Sequence, residues 1–248
     1  MVASSSLLEA SDDHISHGLR NRPNGVRVNK TYVVREIMRS SLKQEHIIDA
    51  AFRLLDEAGI EGVSLRKLAC SLGIRAPSLY WHFKSKQALI DAMADAMISG
   101  VARDIPEGQP WRITMHQIAN EFRTAFKAHR DGARVYAGTF LATENVLRVG
   151  DASISALVDA GADVEFAATT ALDSIYYVMG FVIEEQSLPG QPGVIEGVQQ
   201  AFFELAKARF PRCWEAREVL AEPKFDERFK NGIDLILDGV EQKILKRT

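Results

Sequence analysis

From Leu42 onward, apolar residues recur three and four positions apart almost without interruption. No stretch alternates apolar and polar residues between turn pairs, so the pattern predicts an all-α chain without a sheet. A first helix over residues 43–58 carries Ile47, Ala51, Leu54, Leu55 and Ala58 on one face, and Gly59 closes it as a left-handed residue. Ser64 caps a short second helix with Leu65, Leu68, Ala69 and Leu72 inward. Gly73 supplies a tight turn and Ile74 returns to the core. A third helix starts near Pro77, a residue suited to the first helical position, and runs out at Phe83 and Lys84. Ser85 caps a longer fourth helix bearing Leu89, Ile90, Met93, Met97 and Val101. Beyond Pro106 and Pro110, further helices are expected over 111–129, 141–160, Val164–Ser187, 194–208 and 223–246, punctuated by Gly132, Gly138, Gly161, Pro189 to Gly193, and Pro211.

Residues 1–41 show no such periodicity and read as a disordered or arm-like extension. Its basic residues, among them Arg20, Arg22, Arg27 and Lys30, suit a minor groove or phosphates. A plain tail, or a start of translation at Met38, accounts for the same residues. The expected division is therefore an extension over 1–41, a three-helix unit over 42–88 and a larger helical unit over 89–248, with the fourth helix shared between the last two.

Composition narrows the class. The 248 residues are 46% hydrophobic and 25% charged, as in an ordinary soluble globular protein. No apolar run approaches the roughly 18 residues that span a bilayer, and no basic-then-apolar leader opens the chain. Cys70 and Cys213 match no disulfide or metal spacing and read as small buried hydrophobes in a reducing compartment, so the cytoplasm is expected. Net charge is −3, but it is unevenly spread. Residues 1–90 hold 13 Lys/Arg against 9 Asp/Glu, whereas residues 91–248 hold 17 against 24. A basic front on an acidic body suits a nucleic-acid module. No phosphate-binding glycine loop, nucleophile elbow, paired metal-ligand histidines or Cys–His signature is found, so no enzyme, cofactor or metal is expected.

Two short helices joined by a glycine turn can set the second in a major groove. Leu79 and Phe83, four apart, face inward. Arg75, Ser78, Tyr80, Trp81 and His82 are left outward, an unusual face for a helix that only packs. Ser and His can donate to phosphate, aromatic rings can meet thymine methyls and sugars, and Arg66, Lys84 and Lys86 can neutralise phosphates nearby. Ser64, at the start of the second helix, belongs to the same candidate surface. Packing aromatics and solvated lysines are the plainer account of each residue taken singly.

The segment GIEGVSLRKLACSLGIRAPSLYWHFKSKQALIDAM (residues 59–93) resembles the DNA-binding domain of the tetracycline-repressor (TetR) family. The run Leu79-Tyr80-Trp81-His82-Phe83, followed by Lys84, Lys86 and Leu89, carries the likeness. HRDGARVYAGT (residues 129–139) is similar to a segment of the family's tetracycline-responsive subgroup, and the likeness covers roughly 43–187. The resemblance implies an N-terminal helix-turn-helix and a C-terminal helical body that binds a ligand and dimerises. It implies that Tyr80, Trp81 and His82 meet operator DNA, that Pro77 and Ser78 lie near bases, that Arg66 reads a base and that Lys86 holds phosphate. Ala76 stands where that subgroup has a base-reading amide, so the operator should differ. It implies that the helix Val164–Ser187 and the last helix form a four-helix bundle with those of a partner, for which Ile233, Ile236, Leu237, Val240 and Ile244 offer the apolar stripe; packing within its own subunit is the plainer account of that stripe.

The resemblance weakens at the effector site. A tetracycline–magnesium site would need His at Tyr136, Arg at Phe140, His at Ala102 and Asn at Ile118; Phe122 and Thr139 are retained. No metal and no tetracycline response are expected. Phe122, Phe126, Tyr136, Phe140, Tyr176, Tyr177 and Met179 favour a hydrophobic or aromatic effector, with His116 and Asn120 as polar contacts. Taken singly, each is more often core than pocket, because aromatic residues at helical spacing usually just pack. The implied function is a ligand-responsive, homodimeric repressor released from a palindromic operator. A constitutive or activating regulator without a ligand is the alternative.

Overall fold

The computed structural model describes residues 44–187, 192–222 and 224–246. The expectations for the extension, for residue 43 and for Pro223 lie outside them. The described residues form twelve helices and no strand.

Helix α1, Gln44–Gly62, buries Ile47, Ala50, Ala51 and Leu55. Gly59 (φ 68°, ψ 175°) interrupts it in the left-handed region, and one further turn follows. Helix α2, Leu65–Ser71, is capped by Ser64, whose Oγ accepts the Lys67 N–H at 3.3 Å. It stops where Ile74 N–H reaches back to the Ala69 carbonyl at 3.0 Å over Gly73 (φ 64°). Helix α3, Ala76–Leu79, is a single turn, shorter than the periodicity predicts. The His82 and Phe83 N–H groups both take the Leu79 carbonyl, at 2.9 and 2.8 Å, so the chain leaves the helix while Leu79 and Phe83 stay buried. Helix α4, Lys86–Met97, begins at Ser85, whose Oγ accepts the Ala88 N–H at 3.0 Å. Residues 98–102 leave it in turns that bury Ile98, Val101 and Ala102 and end at the left-handed Ala102 (φ 53°).

The body comprises α5 (Trp111–Lys127), α6 (Gly132–Ala137), α7 (Glu144–Asp159), α8 (Val164–Ser187), α9 (Pro192–Arg209), α10 (Pro211–Glu215), α11 (Arg217–Ala221) and α12 (Phe225–Leu245). The helix expected over 111–129 ends at Lys127 and a second begins at Gly132, because Asp131 takes a left-handed conformation (φ 58°). Thr143 caps α7 and fixes its start. Helices α5, α7, α8 and α12 share one core that includes Phe122, Phe126, Leu157, Val178, Val182, Phe229 and Ile233.

Arg123 ties three of these helices together. Its guanidinium lies 4.8 Å from the Phe229 ring and 5.7 Å from the Phe181 ring, and it bonds Glu185 at 2.8 and 2.9 Å and Asp226 at 2.7 Å. Burial works to raise the Glu185 carboxyl. The bonds from Arg123 and Lys127 overcome it and hold the carboxyl below its ordinary value.

Three expectations are corrected. The α12 stripe serves its own subunit: Ile233, Leu237 and Val240 are buried within one chain and Ile244 packs on the same core, while Leu235 points out. Cys70 and Cys213 are exposed. Helix α8 is long and apolar enough to cross a membrane, contrary to the reading that no run approaches that length. One of its faces lies in the core through Ala167, Thr170, Ser174, Val178 and Val182.

Leu237→Ala should destabilise the subunit by about 2–5 kcal/mol in a denaturant melt, with Leu237→Met costing less than ~1.5 kcal/mol. Equal, negligible losses would place this stripe outside the core.

Candidate nucleic-acid interface and effector cavity

Helices α1 to α3 close around Ile47, Leu55, Val63, Leu68, Leu79 and Phe83, and α4 adds Leu89, Ile90 and Met93. This packing commits the apolar positions of α2 and α3 inward and fixes what remains outside. Trp81 is 82% exposed and Tyr80 50%. Arg75, Pro77, His82, Lys84 and Lys86 are exposed beside them, Ala76 and Ser78 are half-buried, and Arg66 is exposed on α2. The Lys84 ammonium sits 5.6 Å from the Trp81 ring, so the largest exposed aromatic carries a cation over it. Lys86 donates to the Ile60 carbonyl at 3.2 Å, and Ser64 is occupied in capping. All eleven residues therefore fall on the α2–α3 unit and the start of α4. Two of them also hold local structure.

In the body, α5, α6, α7 and α8 line a partly open cavity of about 310 Å³, at the small end of the range for ligand sites. Its walls are Met115, Ile118, Ala119 and Phe122 from α5, Tyr136 from α6, Val146, Val149, Gly150, Ser153 and Ile154 from α7, and Ala168, Ala171, Leu172, Ser174, Ile175 and Val178 from α8. No charged side chain is among them. Ser153 and Ser174 donate to the carbonyls of Val149 and Thr170, at 2.9 and 2.8 Å, which leaves their oxygens able to accept. Burial first, and then the charge of Asp95, push the Tyr136 phenol above its ordinary value, so it stays neutral at physiological pH. Phe126 braces it from behind, ring to ring at 5.2 Å, and Phe122 stands 6.1 Å away.

Of the ten residues expected to contact an effector, Phe122 and Tyr136 line this cavity. Phe126 is wholly buried in the core behind them. His116 faces α12, with Nε2 at 2.9 Å from Asp234. Asn120 turns back to the His116 carbonyl at 2.7 Å, and Thr139 donates to the Tyr136 carbonyl at 2.7 Å. Phe140 and Tyr176 project outward. Tyr177 lies over Gly232, where a Cβ would come within 2.0 Å of its Oη, and donates to the Phe229 carbonyl at 3.2 Å. Met179 packs on the core. The walls missed in the sequence are small and aliphatic residues of α5, α7 and α8, and nothing in their spacing separates a cavity wall from packed core. Ile118, singled out above as an asparagine position in the resembling subgroup, is the one signal that pointed there.

This donor set does not suit a divalent cation. Three hydroxyls in an apolar wall offer no carboxylate or imidazole, and the described residues contain no group of three His, Cys, Asp or Glu that could hold a metal ion.

A tight joint links the cavity to the end of α1. Tyr136 of α6 faces the cavity, while Asp131, at the start of the same helix, accepts the Ile60 N–H at 2.9 Å. Arg134 bonds Glu61 at 2.6 Å. His129 stacks on Phe52 at 4.1 Å and bonds Asp56 at 3.0 Å, and the Arg130 N–H donates to Asp56 at 2.9 Å. A Cβ on Gly59 would come within 2.8 Å of the Asp131 carboxylate.

Two family models match the chain: "Bacterial regulatory proteins, tetR family" over residues 47–93, and "Tetracyclin repressor-like, C-terminal domain" over residues 105–244. The tetracycline repressor protein class C of Escherichia coli is 34% identical over 205 residues, covering 82% of this chain and 92% of its own. A crystal structure of a possible TetR family transcriptional regulator from Streptomyces coelicolor A3(2) superposes with a TM-score of 0.73 at 32% identity, covering 81% of this chain and 99% of that one. A variant TetR from Acinetobacter baumannii AYE in complex with minocycline gives 0.63 at 30% identity, with coverage of 82% and 98%.

Asp131→Asn should be tolerated, because Asn accepts the same bond and the same left-handed backbone. Asp131→Ala should lower stability by about 1–3 kcal/mol by leaving the Ile60 N–H unpaired. A thermal melt in which both variants match the parent would remove the joint from the account.

Proposed function

The chain belongs to the tetracycline-repressor family of bacterial regulatory proteins, and from that premise we propose how this ligand-responsive, DNA-binding regulator selects its signal and uses it. The observation that carries the reading is the uncharged cavity walled by α5 to α8, joined through α6 and α4 to the α1–α3 unit, beside whose last helix Tyr80, Trp81 and His82 lie. Its effector is a small, neutral, hydrophobic or aromatic molecule. A buried charge would find no partner among these walls, whereas a carbonyl or hydroxyl can meet Tyr136, and a donor can meet Ser153 or Ser174. A tetracycline bound through magnesium does not suit them.

Residues 42–88 serve as the DNA-reading module and residues 89–248 as the effector-binding and dimerising body. Arg66 reads a base, and the Ala76–Trp81 segment enters the major groove. Lys84, Lys86 and Arg75 contact phosphates, with Ser78 and His82 as further donors. Two copies joined through the outward faces of α8 and α12 present two such modules to a palindrome about one helical turn, ~34 Å, between centres. Leu172, Tyr176 and Leu235 are exposed there, and Gly180 and Gly239 leave room for close approach. This contact also accounts for an α8 that is apolar on both sides. Effector binding favours the conformation in which the two modules no longer match the operator, and only this difference in affinity drives release. The family is one of regulators rather than enzymes. We read the chain as non-catalytic and cytoplasmic.

Selection from a random duplex pool with the full chain should yield a palindrome whose affinity falls steeply with salt. Arg66→Ala should cost about 1–3 kcal/mol and relax specificity at one symmetric position. Lys84→Ala should weaken all sequences alike. Enrichment of no sequence would refute the reading.

A further inference from the structure

Helix α4 is held at its C-terminal end by charged side chains from the two helices that carry most of the cavity wall outside α8. From α7, the Arg148 guanidinium donates to the carbonyls of Ser99 (3.0 Å), Val101 (3.1 and 3.2 Å) and Ile98 (3.4 Å). These carbonyls lie in the turns just past the helix end, where the backbone is partly negative, so a cation is well placed there; the Ile98 carbonyl also accepts the Val101 N–H and the Ser99 carbonyl the Arg103 Nε. The remaining Arg148 nitrogen bonds Asn145 at 2.8 Å. Asn145 and Thr143 both donate to the Asp95 carboxylate on α4, at 3.0 and 2.5 Å. From α5, Glu121 accepts the Ala102 N–H at 2.7 Å. Arg148 lies between Val146 and Val149, and Glu121 next to Phe122, all three of them cavity walls. An occupant that moves either wall therefore moves the end of α4, whose other end packs on the α1–α3 unit.

We propose that Arg148, seconded by Glu121, is a positioning residue of the response: it transmits occupancy of the cavity to α4. The proposal rests on the functional reading above. It adds a route through α7 to the route through α6, and it assigns the route to a side chain that touches neither DNA nor effector. A guanidinium suits the task because its planar fork reaches several carbonyls at once, which an ammonium cannot do in the same geometry.

The test needs no identified effector. Gly150 lines the cavity, and a Cβ there meets nothing within 4 Å. Gly150→Phe therefore fills the cavity from within the full-length chain. Affinity for the selected operator is measured for the parent, G150F, R148A and the double variant, with R148K as the conservative control. G150F is expected to weaken the parent's binding about 10-fold or more, within the usual range of allosteric coupling. In R148A the same substitution should change it less than about 2-fold, R148A alone should stay near the parent, and R148K should recover part of the coupling. A G150F effect of equal size in both backgrounds overturns the Arg148 assignment and leaves the cavity reading standing. No G150F effect in the parent overturns the cavity reading, and this proposal with it. If R148A does not fold, E121Q enters the same cycle, with the same outcomes deciding.

Discussion

The structure depends on the fact that one short helix, α4, belongs to two cores at once. Its first turns complete the core of α1 to α3 through Leu89, Ile90 and Met93, and the chain just beyond it enters the body's core through Ile98 and Val101. A helix is stiff over its length, so a displacement at one end cannot be absorbed in between. Interiors packed at crystal-like density transmit such displacements rather than diffuse them. The polar groups at both ends then decide which way the helix can move. Ser85 fixes where it starts, and Arg148, Asp95 and Glu121 govern where its far end rests.

The second attachment, between α1 and α6, has a different character. It is built from hydrogen bonds and ion pairs around Asp56, Asp131 and Arg134, with one aromatic stack, Phe52 on His129. Most of these groups reach solvent, so breaking them costs little compared with opening a core. A joint of this kind holds a preferred arrangement and still lets it change. The close fit of Gly59 against Asp131 sets how near the two segments lie, and Tyr136 ties that distance to the cavity wall. The apolar seam of α4 and the polar seam of α6 together allow a shift between arrangements without unfolding either part.

Much of this was legible in the sequence. Ser64, Gly73, Pro77 and Ser85 mark helix boundaries by local chemistry, and local chemistry survives folding. Leu79 and Phe83 faced inward as their spacing implied. The reading failed where tertiary packing decides. Both faces of α8 are apolar enough to be buried, so periodicity could not say which of them belongs to the subunit, and on α12 it marked an apolar stripe without saying whose core the stripe joins. Large aromatics drew attention as effector contacts, yet Phe126 and Tyr177 are braces and Phe140 is outside, while the cavity is bounded, apart from Phe122 and Tyr136, by aliphatic and small residues. A cavity is an absence of atoms between helices, and no residue type announces it. Arg148 was invisible for a similar reason: its partners are backbone carbonyls some 50 residues earlier in the chain.

The exposed thiol of Cys70, on α2, offers a direct view of the central claim. With Cys213 replaced by serine, spin labels on the two Cys70 residues of a dimer report the separation of the two DNA-reading modules by pulsed dipolar spectroscopy. The account predicts one distance peak for the parent and a displaced peak when Gly150→Phe fills the cavity. An identical distance distribution in both would contradict a cavity that acts on the modules through α4.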